Sequence, residues 1–329
     1  MAFSEILGQD SAVALLKKSI QNQRIPSAFL FTGPNHIGKQ KTMTAVAQNL
    51  NCLRGGEDAC LSCDACLQIA HQSFPDYSMV VPDGKFIKID QIKEALKWLH
   101  LRSNTGNYRV LGIKNAEKLN KESANAFLKT LEEPPAQTLI ILSAENSQQL
   151  LETIVSRCQI IQFRLLKKDH VQSILTAHQN LTREQIAFLS CFAMGKVPLD
   201  WIEKVDLLQT LRENIIEFLI SLSAARMEEI FNTIAKWGPA KEKEWAYMLD
   251  FLEFWFRDLD WLAHDLHEDS LINQDRIKQI RICLQQFHPQ QIRVTYNKII
   301  QTRERIVMNA HVSLAMEALW IYIKRNLAI

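Results

Sequence analysis

Turn and linker residues are scarce. Ten glycines and nine prolines in 329 residues leave little material for long flexible connections and tilt the chain toward helix. An excess of one charge is also missing. Lys and Arg number 38 against 36 acids, a formal net charge of +2, so no whole-chain basic footprint for nucleic acid exists and any basic face must be local. No apolar run approaches the ~18 residues of a spanning helix, and no membrane segment is expected. The opening MAFSEILGQD carries acids early and lacks the basic-then-apolar layout of a signal peptide, so a cytoplasmic protein is expected. With 47% hydrophobic and 22% charged residues, the composition is that of a folded globular chain and excludes whole-chain disorder. The length has room for two to three domains at about 150 residues each.

The first half alternates short apolar runs with helical patterns. The runs Ala28–Thr32, Tyr77–Val81, Arg109–Ile113, Thr138–Ser143 and Gln159–Phe163 predict strands. Val13, Leu16 and Ile20 recur at helical spacing, as do Ala124, Leu128 and Leu131 behind a cap at Asn120, and Glu133-Pro134-Pro135 stops that second helix. Apolar strands alternating with helices predict a parallel sheet covered on both faces. Beyond Arg164 the strand signal ends. Short helices follow, with Asp169 as a cap and a capping box at Thr182–Gln185. The rest reads as all helix: Leu208, Leu211, Ile215 and Leu219 form one stripe, and Leu314, Ala318, Ile321 and Arg325 trace the last helix. Breaks are predicted at Trp237-Gly238-Pro239 and His288-Pro289. Trp237, Trp245, Trp255, Trp261 and Trp320, spaced among apolar residues, predict core or interface rather than base stacking.

The first strand runs into Gly33-Pro34-Asn35-His36-Ile37-Gly38-Lys39-Gln40. Gly, four residues, then Gly-Lys between a strand and a helix is the phosphate-loop pattern: Gly33 and Gly38 let backbone N–H groups converge on phosphate, and Lys39 adds a point charge at a helix N-terminus. The next position normally holds Mg²⁺ through a Ser or Thr hydroxyl, but here it is Gln40. Thr42, two residues on, lies about 200° around the helix. The acids that should close a later strand are missing too, since Arg109–Ile113 ends in Lys114-Asn115. Two losses in one chemistry predict a degenerate loop that does not hydrolyse ATP; whether Lys39 still binds nucleotide without Mg²⁺ stays open. A turn kept for packing alone is the competing reading.

Seven cysteines complete the inventory. Cys158, Cys191 and Cys283 stand alone and read as small buried hydrophobes. Cys52, Cys60, Cys63 and Cys66 form C-x7-C-x2-C-x2-C, a spacing that closes a tetrahedral S₄ shell suited to structural Zn²⁺. Surface thiols, or His71 as a substitute ligand, are the alternatives.

Together these features resemble the bacterial clamp-loader subunits of the AAA+ class. Leu7-Gly8-Gln9, the strand before Gly33, the cysteine insert, the stretch from Ser123 to Pro135 and Thr153-Ile154-Val155-Ser156-Arg157-Cys158 carry the resemblance over residues 1–165; Ser313–Leu319 is a softer match. The resemblance implies an α/β AAA+ domain over 1–165, a parallel five-stranded sheet between helices with a zinc module at 52–66. A small helical lid over 166–205 and an all-helical collar over 206–329 would follow. Gln40 and Lys114-Asn115 point to the delta-prime branch rather than the ATP-hydrolysing gamma/tau branch. So does Gly195-Lys196-Val197-Pro198-Leu199, where hydrolysing subunits carry a lid arginine after the glycine. By the same resemblance Arg157 is an arginine finger reaching a neighbouring subunit's ATP site, against an ordinary surface salt bridge. The implied partners are gamma/tau and delta subunits and, through the complex, the sliding clamp and primed DNA. The rival readings are an active ATPase with an unusual Mg²⁺ site and a free-standing zinc-containing DNA-binding protein.

Overall fold

The computed structural model describes residues 2–101, 107–237, 242–264 and 266–327. It divides into two compact units. One runs up to Leu181 and includes Ala193–Pro198; the other comprises Thr182–Phe192 and the chain from Leu199 on. Among the described residues no helix is long and apolar enough to cross a membrane.

The first unit is built on α1 (Asp10–Gln21), β1 (Ala28–Thr32), α2 (Lys39–Asn51), α3 (Asp64–Ala70), β2 (Tyr77–Val80), α4 (Ile89–Leu99), β3 (Arg109–Ile113), α5 (Lys121–Glu132), β4 (Thr138–Ala144), α6 (Glu152–Val155), β5 (Gln159–Gln162) and α7 (Lys168–Thr176). All pairings are parallel and the strand order is β2-β3-β4-β1-β5, so the predicted five-stranded parallel sheet is present. Strand periodicity assigns its two faces. Phe29, Phe31, Val110, Leu139, Ile141 and Ile161 pack with residues of α1, α2 and α3. Ala28, Leu30, Leu111, Ile113, Ile140 and Leu142 pack with residues of α4, α5 and α6. Asn120 caps α5 as expected, its side chain accepting from Ser123 N at 2.8 Å. Asp169 is not a cap: Lys167 holds that position, and Asp169 lies inside the first turn of α7, where a carboxylate favours the helix dipole.

The second unit holds α8 (Arg183–Phe192), α9 (Leu199–Glu203), α10 (Val205–Ser221), α11 (Met227–Trp237), α12 (Glu242–Ala263), α13 (Ile277–Leu284), α14 (Pro289–Val307) and α15 (Val312–Arg325). The capping box at Thr182 forms, with reciprocal bonds of 2.9 and 3.2 Å to Gln185. The stripe Leu208, Leu211, Ile215 and Leu219 is buried in a core shared with Trp245, Trp255 and Trp320, which are 3%, 2% and 0% exposed. These indoles are core, as expected, and Trp261 packs partly buried against them. The side chain of Trp237 and the predicted break at Gly238-Pro239 lie outside the described residues. Pro289 opens α14 behind His288. The last helix corrects its expected stripe: Leu314 is 63% exposed, and Ala318 and Arg325 are exposed. The buried row is Met316, Leu319, Trp320 and Ile323, because the large Trp320 and Met316 bury more apolar area than a row ending in arginine.

At the amino ends of β2 and β3, a buried ion pair fixes the start of β3. Arg109, 2% exposed, donates to the Asp76 carboxylate at 3.1 and 2.8 Å, donates to Trp98 O, and lies 4.9 Å from the Trp98 ring. Arg109→Ala removes the guanidinium that neutralises a fully buried carboxylate, and the expected loss is about 3–5 kcal/mol in urea unfolding. A loss under about 1 kcal/mol, the worth of an exposed pair, would contradict this role.

Candidate functional site

The phosphate loop sits at the carboxyl end of β1, between β4 and β5, where order reversal in a doubly wound sheet opens a crevice. Gly33 N donates to Ala144 O at 3.2 Å and Glu145 O at 3.1 Å, joining β1 to the end of β4. Its φ is +139°, and a Cβ there would stand 2.4 Å from Phe163 O. Gly38 precedes α2 in the left-handed region at φ +101°. Both glycines are therefore required by backbone geometry.

Lys39 is turned inward. Its ammonium donates to Gly33 O and to Pro34 O, the latter at 2.8 Å, and the side chain is buried. Thr42 is fully buried and its hydroxyl donates to Gly38 O at 3.0 Å, so it does not replace the hydroxyl missing at Gln40. Lys114-Asn115 follows β3, with Asn115 at φ +54° and its N donating to Ser143 Oγ at 3.2 Å. The Asn115 amide donates to Asn35 Oδ1 at 3.2 Å and to Glu117 Oε1 at 3.0 Å, while the Asn35 amide donates to Glu145 Oε1. Sequence reading missed both carboxylates. Glu117 lies two residues past the expected acid position, and Glu145 follows a strand with no motif to mark it. Gln9 also closes on the loop, donating to Ile37 O at 3.1 Å and Arg164 O at 2.7 Å. Val197, in the segment read as a lid departure, donates its N–H to His36 O at 2.8 Å.

The four cysteines converge. All four Sγ atoms lie within 4.8 Å of one another, close to the ~3.8 Å between thiolates around a tetrahedral ion with 2.3 Å metal–sulfur bonds. Cys52 ends α2, Cys63 caps α3 and Cys66 lies in its first turn. Cys60 N points to Cys52 Sγ and Cys63 N to Cys60 Sγ, each at 3.4 Å. Hydrogen bonds, first from Ser62 N, push the Cys60 thiol down to about 5, whereas burial pushes the neighbouring Cys66 thiol up to about 12. His71 ends α3 and is not part of the cluster. These four residues could hold a metal ion. Gln48 on α2 donates to Cys66 O at 2.7 Å, and Asp58 in the insert accepts from Phe3 N and Ser4 N at 2.8 and 3.0 Å. The insert is therefore tied to both α2 and the N-terminal turn.

Arg157 follows α6 on the surface. Its guanidinium bonds Glu132 at 2.6 Å, Thr153 O at 2.8 Å and Ser156 Oγ at 3.3 Å. Its backbone N is bonded to Ile154 O at 3.1 Å, so the side chain projects from a fixed turn. Cys158 beside it is largely buried, and burial pushes its thiol up to about 12.

Burial likewise pushes the Lys39 ammonium down to about 8 from 10.5, against the opposing fields of Glu117 and Glu145. Between those values the unfolded chain holds a proton that the folded chain has released, so stability rises with pH across that window. Denaturant titrations from pH 7.5 to 10.5 should show this rise in the wild type relative to Lys39→Met. Parallel curves for the two proteins would show that Lys39 is not buried as a charge.

A family profile described as "DNA polymerase III, delta subunit" matches residues 8–167. The chain is 28% identical over 321 residues to DNA polymerase III subunit delta' of Bacillus subtilis, covering 97% of each. It is 30% identical over 191 residues to the delta' subunit of Haemophilus influenzae, 58% of this chain and 56% of that one. Among solved structures, a DNA polymerase III gamma subunit-related protein of Thermotoga maritima covers 95% of this chain and 98% of its own, at TM-score 0.44 and 16% identity, which is too remote to bear on details. With a phosphate loop on a five-stranded parallel sheet and a four-cysteine insert, the chain is similar along nearly its whole length to a DNA polymerase III delta' subunit.

Proposed function

We propose that this chain is the non-hydrolysing delta'-type member of a DNA polymerase III clamp loader, assembled with gamma/tau and delta subunits. It helps open the sliding clamp and place it on primed DNA, and it supplies Arg157 to a neighbouring subunit's ATP site. The observation that carries the reading is the phosphate loop. Its lysine is spent on the loop's own carbonyls, its Mg²⁺ hydroxyl is replaced by Gln40, and β3 ends in Lys114-Asn115. Exposure of Arg157 on a fixed turn supports its use in trans, and residues 166–205 and 206–329 are the lid and the ring-holding collar. Glu117 and Glu145 favour one rival, an ATPase with displaced metal-binding acids; Mg²⁺-dependent phosphate release by the purified chain would decide for it.

The cysteine cluster holds Zn²⁺ in this reading, as a closed thiolate shell with no open position for chemistry. Elemental analysis should find one Zn²⁺ per chain, and Cys63→Ser should release it and raise hydrogen exchange across residues 52–66 and the N-terminal turn that Asp58 holds. Zinc-free native protein would refute this.

The decisive experiment reconstitutes the complex. A guanidinium delivered across an interface stabilises charge developing on the γ-phosphate and is worth about 10³–10⁵ in rate at the site it completes. One chain completes one site among several. Arg157→Ala should therefore leave assembly intact, lower DNA-stimulated ATP turnover of the complex partially, and impair clamp loading more. Arg157→Lys should rescue poorly, lacking the planar fork of donors. Unchanged turnover and loading with Arg157→Ala would leave Arg157 as one half of a surface salt bridge with Glu132.

A further inference from the structure

Arg157 is not free on its surface. We propose that Glu132 is a positioning residue for it. The Glu132 carboxylate parks the guanidinium on its own subunit and so raises the ATP concentration at which the neighbouring site engages it. This inference rests on the reading of Arg157 as a group used in trans and extends it to what holds the side chain beforehand.

The guanidinium is divided between two kinds of partner. Its Nη1 donates to Thr153 O at 2.8 Å and to Ser156 Oγ at 3.3 Å, both within its own turn. Its Nη2 donates to Glu132 Oε1 at 2.6 Å, across 25 positions of sequence. The turn therefore aims the side chain, and Glu132 decides where its outer nitrogen points. Both anchors rest on one core, since Leu131 beside Glu132 and Ile154 before Arg157 are buried together. Glu132 also stands where its own helix favours a cation. It is the last residue of α5, with Glu133 at the cap, so two carboxylates crowd the negative end of the helix dipole. A local preference broken in this way points to a role outside the helix, and Arg157 is the cation that Glu132 meets. The pair is open to solvent, with the Arg157 and Glu132 side chains 34% and 51% exposed, so it can exchange. A phosphate arriving at Arg157 has to take Nη2 from a carboxylate and approach a like charge beside it. Glu132 thus opposes engagement by about the worth of an exposed ion pair.

The test compares wild type, E132Q, R157A and E132Q/R157A in the reconstituted complex, measuring DNA-stimulated turnover against ATP concentration. Glutamine keeps the length of the side chain and an oxygen that can accept from Nη2, and it removes the charge. E132Q should lower the ATP concentration for half-maximal turnover at the site that Arg157 serves by about two- to fivefold. The maximal rate should not change. In the R157A background the same substitution should shift nothing, because the group through which Glu132 acts is gone. A Glu132 that only stabilised the fold would instead lower the maximal rate or the yield of complex in both backgrounds. A wild-type or higher ATP requirement in E132Q, or a shift that persists without Arg157, overturns the proposal. Either result leaves the reading in trans standing as long as R157A itself lowers turnover. If R157A changes neither turnover nor clamp loading, that reading falls and this inference with it.

Discussion

At the carboxyl end of β1 the backbone has room for no side chain. Gly33 stands where a Cβ would meet Phe163 O at 2.4 Å, and its N–H reaches the carbonyls of Ala144 and Glu145. Three neighbouring strands, β4, β1 and β5, are thus pinned at one point. That closeness keeps the loop shape after the hydroxyl and the strand-end acids have gone. Strain at such a position is tolerated only when its surroundings hold it, and here they do so with main-chain bonds. Gly33 is required by the sheet's geometry whether or not the loop takes a ligand. The side chains at 40, 114 and 115 offer neither a Ser or Thr hydroxyl nor a carboxylate.

The cysteine insert applies a second, independent constraint. It joins the end of α2 to the start of α3, both packed on the same sheet face as Phe29 and Phe31. Asp58, held below the usual carboxylate range by the N–H groups of Phe3, Ser4 and Ala59 despite partial burial, fixes the N-terminal turn to the insert. Gln9 then carries that turn to the loop at Ile37 and to Arg164 beyond β5. A bound metal in this cluster would stiffen the segment on which the N-terminus rests.

The sheet was legible because parallel buried strands are short apolar runs between helices, and β1 and β3 fall where the runs end. Edges drifted by a residue at β2, β4 and β5, where the last apolar residue and the last ladder bond differ. The loop, the four thiols and the Asn120 cap were readable because each depends on residue type at fixed spacing. The α15 stripe was not: several faces of an apolar helix look alike, and only the volume of Trp320 against its neighbours selects one. Glu117 and Glu145 were invisible for a different reason. They come within electrostatic reach of Lys39 through strand order, which sets β4 beside β1 and β3 beside β4, and no local pattern encodes that adjacency.

On the proposed reading, an inactive loop and an arginine that serves a neighbouring subunit answer to different physics. A nucleotide site of one's own needs several groups placed together, and removing any of them disables it; the remaining pressure is only to keep the sheet closed. A residue used across an interface needs one charge, carried on a backbone that does not move. Arg157 has that backbone: a one-turn helix closed by Ile154 O, a mostly buried cysteine after it, and β5 paired to β1 beyond. Its pair with Glu132 is exposed, and exposed pairs hold by about 0–1 kcal/mol. That is little beside what a phosphate dianion in a dehydrated site offers a guanidinium. The side chain is therefore oriented by its turn and only lightly tethered by Glu132, a combination compatible with the role in trans proposed for it.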